Sequence, residues 1–166
     1  MGENSHFDSP KKMPPDFSAK DIRALAEEDL PAVLAVEIAS QPRPWSKDSF
    51  QNELNNPAST VNVIWHGNEV VGYICYHTLL DELNILNLVT APFYRRLGVA
   101  RLLLDVALAD GVRNSVQKVF LEVRKGNRAA IALYQSFGFQ LLGCRKGYYA
   151  DGDDALIMLK ELFENI

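Results

Sequence analysis

The stretch L-N-I-L-N-L-V-T-A-P-F-Y-R-R-L-G-V-A-R-L-L-L, Leu83 to Leu104, decides the fold. Its first part, Leu83 to Val89, is an apolar run of strand length that ends before Pro92. Its last part opens an amphipathic segment, Val99 to Val112, with Val99, Leu102, Leu103 and Val106 on one helical face. R-R-L-G-V-A, Arg95 to Ala100, therefore occupies a tight turn where a strand passes into a helix. The first turn of such a helix has unpaired backbone N–H groups, and its dipole favours an anion there. Gly98 lets the backbone approach closely, while Arg95, Arg96 and Arg101 bring positive charge. The segment Arg95, Arg96, Leu97, Gly98, Val99, Ala100 and Arg101 is thus predicted to hold a pyrophosphate. It contains neither a G-x-x-x-x-G-K-[ST] nor a G-x-G-x-x-G pattern, so a P-loop or dinucleotide site is excluded.

Two residues with proton-transfer chemistry follow. Glu122 sits in the apolar run Val119 to Val123, where alternation places it on the same face as Phe120. Partial withdrawal from water there would raise its basicity, as a general base requires. Tyr134 lies in the helical pattern Asn127 to Phe137, on the face of Ala130 and Ile131. It is either a core aromatic or an acid that protonates a leaving group. A pyrophosphate cradle, a carboxylate and a phenol at these spacings suggest acyl-group transfer from a pyrophosphate-bearing cofactor.

Outward from this centre the elements alternate. Upstream come a short strand (Ile22 to Leu25), a helix from Glu27 to Ser40 with Leu30, Val33, Leu34 and Ile38 inward, and a proline-broken loop, Gln41 to Trp45. Ser46 is placed to cap a helix from Lys47 to Leu54, and Thr60 to Trp65 with Val70 to Tyr76 forms a hairpin across His66 to Glu69. Downstream the pattern is strand, helix, strand, strand, with Gly138 as a helix cap and final strands near Phe139 to Leu142 and Ala155 to Leu159. The class is α/β, a mixed sheet of six or seven strands with flanking helices. Residues 1–19, rich in proline and polar side chains, read as a flexible leader, and 20–166 as a single domain.

The chain has 166 residues, 48% hydrophobic and 23% charged, with a net charge of −4. The acidic balance argues against a general nucleic-acid binder and suits a cationic substrate. No apolar stretch approaches the ~20 residues of a membrane span. Three scattered histidines and two cysteines show no metal-ligand spacing, so no metal is expected. Cys75 and Cys144 both lie in apolar strand-like runs, which predicts buried packing in a reduced, cytoplasmic protein.

The turn at Arg95 to Ala100 resembles the [Q/R]-x-x-G-x-[G/A] signature of the GCN5-related N-acetyltransferase (GNAT) superfamily. N-L-V-T-A-P-F-Y-R-R-L-G-V-A-R-L-L-L, L-E-V-R-K-G-N-R-A-A-I-A-L-Y-Q-S-F-G-F, K-G-Y-Y and P-W-S narrow the resemblance to the RimI-type ribosomal-protein-alanine N-acetyltransferases, over Ile22 to Leu159. The pattern departs at Ala100, where glycine is common, and at Ala91, where a polar residue is frequent.

The resemblance implies the GNAT fold, with a strand splay at an acetyl-CoA site. It implies that Leu88, Val89 and Thr90 carry the pantetheine through backbone bonds, and that Asn127 contacts the cofactor besides capping its helix. It makes Glu122 the base that deprotonates the amine and Tyr134 the acid toward the departing thiolate. From the residues themselves, Pro44, Trp45 and Ser46 with Tyr148, Tyr149, Asp151, Asp153 and Asp154 lie in two loops expected to flank a peptide channel and contact substrate, the acids forming a rim suited to a basic tail. The implied reaction is direct acetyl transfer to a protein α-amine in a ternary complex, the acceptor being the N-terminus of a basic ribosomal protein. Monomer or weak dimer is the expected state. A small amine, a lysine side chain, or acyl-CoA binding without catalysis are the alternatives.

Overall fold

Seven strands form one sheet in the order β1-β2-β3-β4-β5-β7-β6. The computed structural model describes residues 14–163. Residues 1–13, most of the expected leader, lie outside the described residues. In chain order the elements are β1 (Ile22–Ala24), α1 (Leu30–Ser40), α2 (Lys47–Asn55), β2 (Ser59–His66), β3 (Glu69–Leu79), β4 (Glu82–Thr90), α3 (Val99–Arg113), β5 (Lys118–Arg124), α4 (Arg128–Ser136), β6 (Gln140–Arg145) and β7 (Ala155–Glu161). β4 and β5 are the parallel pair, and all other neighbours run antiparallel. A parallel pair needs a crossover, which the amphipathic α3 supplies.

Around β3 the sheet is covered on both faces, which explains why that strand reads as a nearly unbroken apolar run. Ile74 and Tyr76 pack with Leu103, Leu104 and Ala107 of α3. The alternate residues Tyr73 and Cys75 pack with Leu30 and Val33 of α1 and Phe50 of α2. A Cβ on Gly72 would stand 2.7 Å from the Val89 carbonyl oxygen and 2.8 Å from Val99 Cγ1. Only glycine there lets α3 seat against the β3–β4 pair.

Several local expectations hold in detail. Ser46 Oγ accepts the Ser49 N–H at 3.1 Å and caps α2. Gly138, at φ +86°, ends α4, with its N–H donating to the Gln135 carbonyl. Three expectations are corrected. The helix predicted from Glu27 begins at Leu30, because Glu27–Asp29 form a 3-10 turn before Pro31. Within α1 the inward residues are Leu30, Val33, Val36 and Glu37, while Ile38 is 65% exposed, so the apolar pattern misjudged the last turn. Cys75 is buried as predicted but Cys144 is exposed, since β6 is the outermost strand and has no layer over it.

Candidate active site

β4 and β5 pair only over their first halves, Glu82 to Ile85 against Lys118 to Leu121. Beyond Ile85 a bulge at Leu86 interrupts the β3–β4 register, and β4 stays with β3 while β5 stays with β7. The bulge turns β4 away, as an extra residue in one strand does. Leu86 to Thr90 and Glu122 to Arg124 thereby face one another across a V with no β4–β5 ladder. This is the strand splay expected of the fold. Cavities of about 660, 300 and 690 Å³ line up along it and share walls.

The 660 Å³ cavity is bounded by Leu88, Val89, Thr90, Arg95, Arg96, Gly98, Val99, Ala100 and Arg101, and by Asn127, Leu133 and Tyr134 from α4 and its cap. Leu97 does not reach it. The Ala91 N–H donates to the Val71 carbonyl at 2.8 Å, so by strand alternation Val89 also turns its N–H toward β3. The peptide groups of Leu88 and Thr90 then face the open side. In the following loop Arg96 has φ +63° and Gly98 has φ +84°. No heavy atom lies within 4 Å of where a Gly98 Cβ would stand. The left-handed backbone, rather than crowding, is what selects glycine there. Arg96 adopts it without that freedom, a strain of about 1 kcal/mol or more. Gly98 is the N-cap of α3 and supplies no capping side chain, so the first turn offers its N–H groups to whatever enters the cavity.

The 300 Å³ cavity sits at the fork, where Glu122, Asn127 and Tyr134 share a wall with Leu88 and Asn87. Tyr134 is 7% exposed, rests edge-on against Phe139, and has no hydrogen-bond partner for its hydroxyl among the described residues. Burial pushes its pKa up to about 12. Asn127 caps α4, its Oδ1 accepting the Ala130 N–H at 3.1 Å. Glu122 does alternate with buried Leu121 and Val123, but it is exposed, and Oε1 stands 3.3 Å from Arg145 Nη1. The expected withdrawal into an apolar strand is corrected, because β5 turns its Glu122 face toward the open V.

The 690 Å³ cavity continues past Glu122 between Trp45, Tyr148 and Tyr149, with Glu82, Asn84 and Arg145 on its walls. Pro44 is exposed and lines none of the three cavities. The acidic rim is also corrected. Asp151 is held by Arg124 at 2.8 and 3.0 Å, with Asp153 3.9 Å from the same guanidinium. Asp154 lies 3.6 Å from Lys125 and 3.9 Å from Lys146, and accepts the Gly147 N–H. These carboxylates are spent on the chain's own cations, and they fold the β6–β7 connection into place. Arg124 stacks over Tyr149 at 3.9 Å, and Arg145 over Tyr148 at 5.5 Å. No group of three or more potential metal ligands occurs among the described residues.

The family model described as the Acetyltransferase (GNAT) family matches residues 21–139. The chain belongs to that family. It is 34% identical over 140 residues to the ribosomal protein bS18-alanine N-acetyltransferase of Escherichia coli K12, covering 82% of this chain and 94% of the relative. It is 37% identical over 139 residues to a Bacillus subtilis protein provisionally assigned the same activity, covering 82% and 92%. The crystal structure of the Escherichia coli ribosomal-protein-S18-alanine N-acetyltransferase superposes with a TM-score of 0.81 at 31% identity, covering 87% of this chain and 95% of that one. The protein is therefore an acetyl-CoA-dependent N-acetyltransferase.

In this GNAT acetyltransferase three polar residues at the V escaped the reading of the sequence. Glu37, Arg124 and Arg145 each reach the site through a partner 23 or more residues away. Glu37 alone left a trace: the one carboxylate in an otherwise largely apolar helix, one position before the apolar Ile38. Nothing in that local pattern says which of the two faces inward.

Proposed function

We propose that this acetyltransferase modifies the α-amine at the N-terminus of a protein, and that the acceptor is a basic ribosomal protein. The observation that carries the reading is the cavity beyond Glu122, about 690 Å³ and walled by Trp45, Tyr148 and Tyr149, which has room for several residues of peptide beyond the base. The activity of the Escherichia coli relative, a ribosomal protein bS18-alanine N-acetyltransferase, supports the same acceptor.

The residues of the first cavity fit acetyl-CoA. The unpaired N–H groups at the start of α3 with Arg95, Arg96 and Arg101 suit its pyrophosphate. The open-side peptide groups of Leu88 and Thr90 suit its pantetheine amides, and Asn127 stands on the opposite wall. When bound, this co-substrate supplies an acetyl group activated as a thioester. The acceptor amine must be neutral to attack, and an α-amine with pKa ~7.7–8.0 reaches that state far more readily than a lysine at ~10.4. Glu122 accepts the proton that the amine loses as the C–N bond forms and the C–S bond breaks. Backbone N–H groups at Leu88 and Thr90 are the donors available to the carbonyl oxygen as charge builds on it.

Tyr134 acts at the sulfur. With its pKa near 12, full proton transfer to a thiolate of pKa ~8.5 would be uphill by roughly 5 kcal/mol. Its role is therefore to donate a hydrogen bond to the departing thiolate, which takes its proton from solvent on release. The proton bound by Glu122 returns to solvent as well.

CoA release with a panel of acceptors tests the assignment. The panel is a basic peptide beginning Ala-Arg-Tyr, the same peptide with a blocked N-terminus, spermidine and free lysine. Turnover confined to the free peptide is the expected result. Turnover with spermidine or lysine and none with the peptide would replace the substrate assignment, and acetyl-CoA binding without any turnover would leave a binding module.

A further inference from the structure

Glu37 is fully buried, and no step above uses it. A carboxylate held away from water survives only where donors meet its oxygens. Oε1 accepts the Trp45 N–H at 2.9 Å, and Oε2 accepts the Tyr73 hydroxyl. Tyr73 is itself fully buried, and burial together with Glu37 holds its pKa far above the usual phenol value, so it stays a donor. A carboxylate only accepts, which fixes the direction of that hydrogen bond and leaves the phenol oxygen free to accept. Asn87 Nδ2 donates to that oxygen at 2.6 Å, which turns Asn87 Oδ1 to accept from Gln41 Nε2 at 3.4 Å. The Gln41 N–H donates to the Glu37 carbonyl, closing a ring through α1, β3 and β4.

The ring joins two walls of the fork. Asn87 is the first paired residue of β4 beyond the bulge, where the strand leaves β5. Trp45 ends the loop 41–45 and lines both the central cavity and the one beyond Glu122. Its indole packs on Phe50, and Phe50 packs on Tyr73, both at 5.4 Å, so the apolar contacts follow the same route as the hydrogen bonds. We propose that Glu37 is a positioning residue for the acceptor: by gripping the Trp45 backbone and, through Tyr73, Asn87 on the splayed strand, it holds the acceptor wall at a fixed distance from the transfer point. This rests on the reading of the V as the acetyl-transfer channel.

Glu37→Gln is the decisive change because it keeps the volume and spoils the polarity. Its oxygen can still accept from Trp45, but its NH2 then confronts the Tyr73 hydroxyl, which already accepts from Asn87. Steady-state kinetics of the full chain with acetyl-CoA and the free-N-terminus peptide should show acceptor KM raised about tenfold, as loss of one buried charged hydrogen bond allows, with acetyl-CoA Kd within about twofold. Tyr73→Phe keeps the grip on Trp45 and loses the link to Asn87, and should raise acceptor KM by about threefold. It also serves alone if Glu37→Gln fails to fold. Unchanged acceptor KM, or acetyl-CoA affinity falling in step with it, would overturn the proposal. If the wild-type enzyme instead turns over spermidine and not the peptide, the α-amine reading fails separately, and the same variants assayed with spermidine decide the role of Glu37.

Discussion

The two ends of the V are built in opposite ways. The wall at Arg95 to Arg101 is made by contiguous backbone: two left-handed residues, an open helix end and three arginines within seven positions. The wall at Trp45, Tyr148 and Tyr149 is made by side chains that reach across the chain, with Arg124 clasping Asp151 twenty-seven residues on and Arg145 facing Glu122. A backbone device tolerates any side chain that preserves its dihedral angles and fails when they change. A web of side-chain pairs degrades piecemeal, because each exposed pair is worth little alone.

Glu122 stands where the two walls meet, and its loss should have the largest effect. Glu122→Gln keeps the shape and removes the carboxylate proposed as the base, so kcat should fall by ~10² to 10⁴. Acetyl-CoA affinity should be unchanged by calorimetry, since the cofactor wall contains no part of Glu122. A near-normal kcat would remove Glu122 from the mechanism and leave the fork without a base. Acetyl-CoA affinity falling along with kcat would show that the two walls are not separable.

The same contrast governs what could be read from residues alone. The Arg95 to Arg101 loop was legible because everything it needs is adjacent in sequence, and the strand and helix around it follow from apolar periodicity. The Ser46 and Gly138 caps were legible for the same reason. Glu37 was not, because helix periodicity near Ile38 favours the apolar residue, and only the position of Tyr73, thirty-six residues later, shows that the carboxylate is the one turned inward. The acidic rim was misjudged for a related reason. Asp151, Asp153 and Asp154 count as free charge in a sequence, and the partners that neutralise them become visible only when β5 and the β6–β7 connection lie side by side.

Gly98→Val probes the backbone wall on its own. The space above Gly98 is open to an added Cβ, but φ +84° is a conformation that a β-branched residue avoids at a cost of about 1–2 kcal/mol. Acetyl-CoA Kd should rise by about tenfold with acceptor KM unchanged. Arg124→Ala probes the other wall. It removes the clasp on Asp151 and the stack on Tyr149, so acceptor KM should rise by about two- to fivefold, the scale of part-exposed ion pairs, and acetyl-CoA Kd should not move. If either variant altered both constants equally, the division into two independently built walls would be wrong.

The smallest effect separates the walls by pH. Backbone donation from Asp153, then the Arg124 guanidinium, holds the Asp151 carboxyl below its ordinary value, and donation from Gly147 does the same for Asp154. A carboxylate with a depressed folded-state pKa contributes stability above its unfolded pKa, and that contribution disappears as pH falls through the folded value. The β6–β7 connection should therefore be unaffected from neutrality down to about pH 4, the ordinary aspartate range, and loosen only below it. The Arg95 to Arg101 loop contains no carboxylate and has nothing to titrate there. In a ¹⁵N-resolved NMR titration the Gly147 and Asp153 amides should move with midpoints below the free-aspartate value, while Gly98 and Val99 stay in place. Gly98 and Val99 moving with the same midpoint would mean that strain in the acceptor connection is transmitted across the fork, and the two walls would then act as one unit.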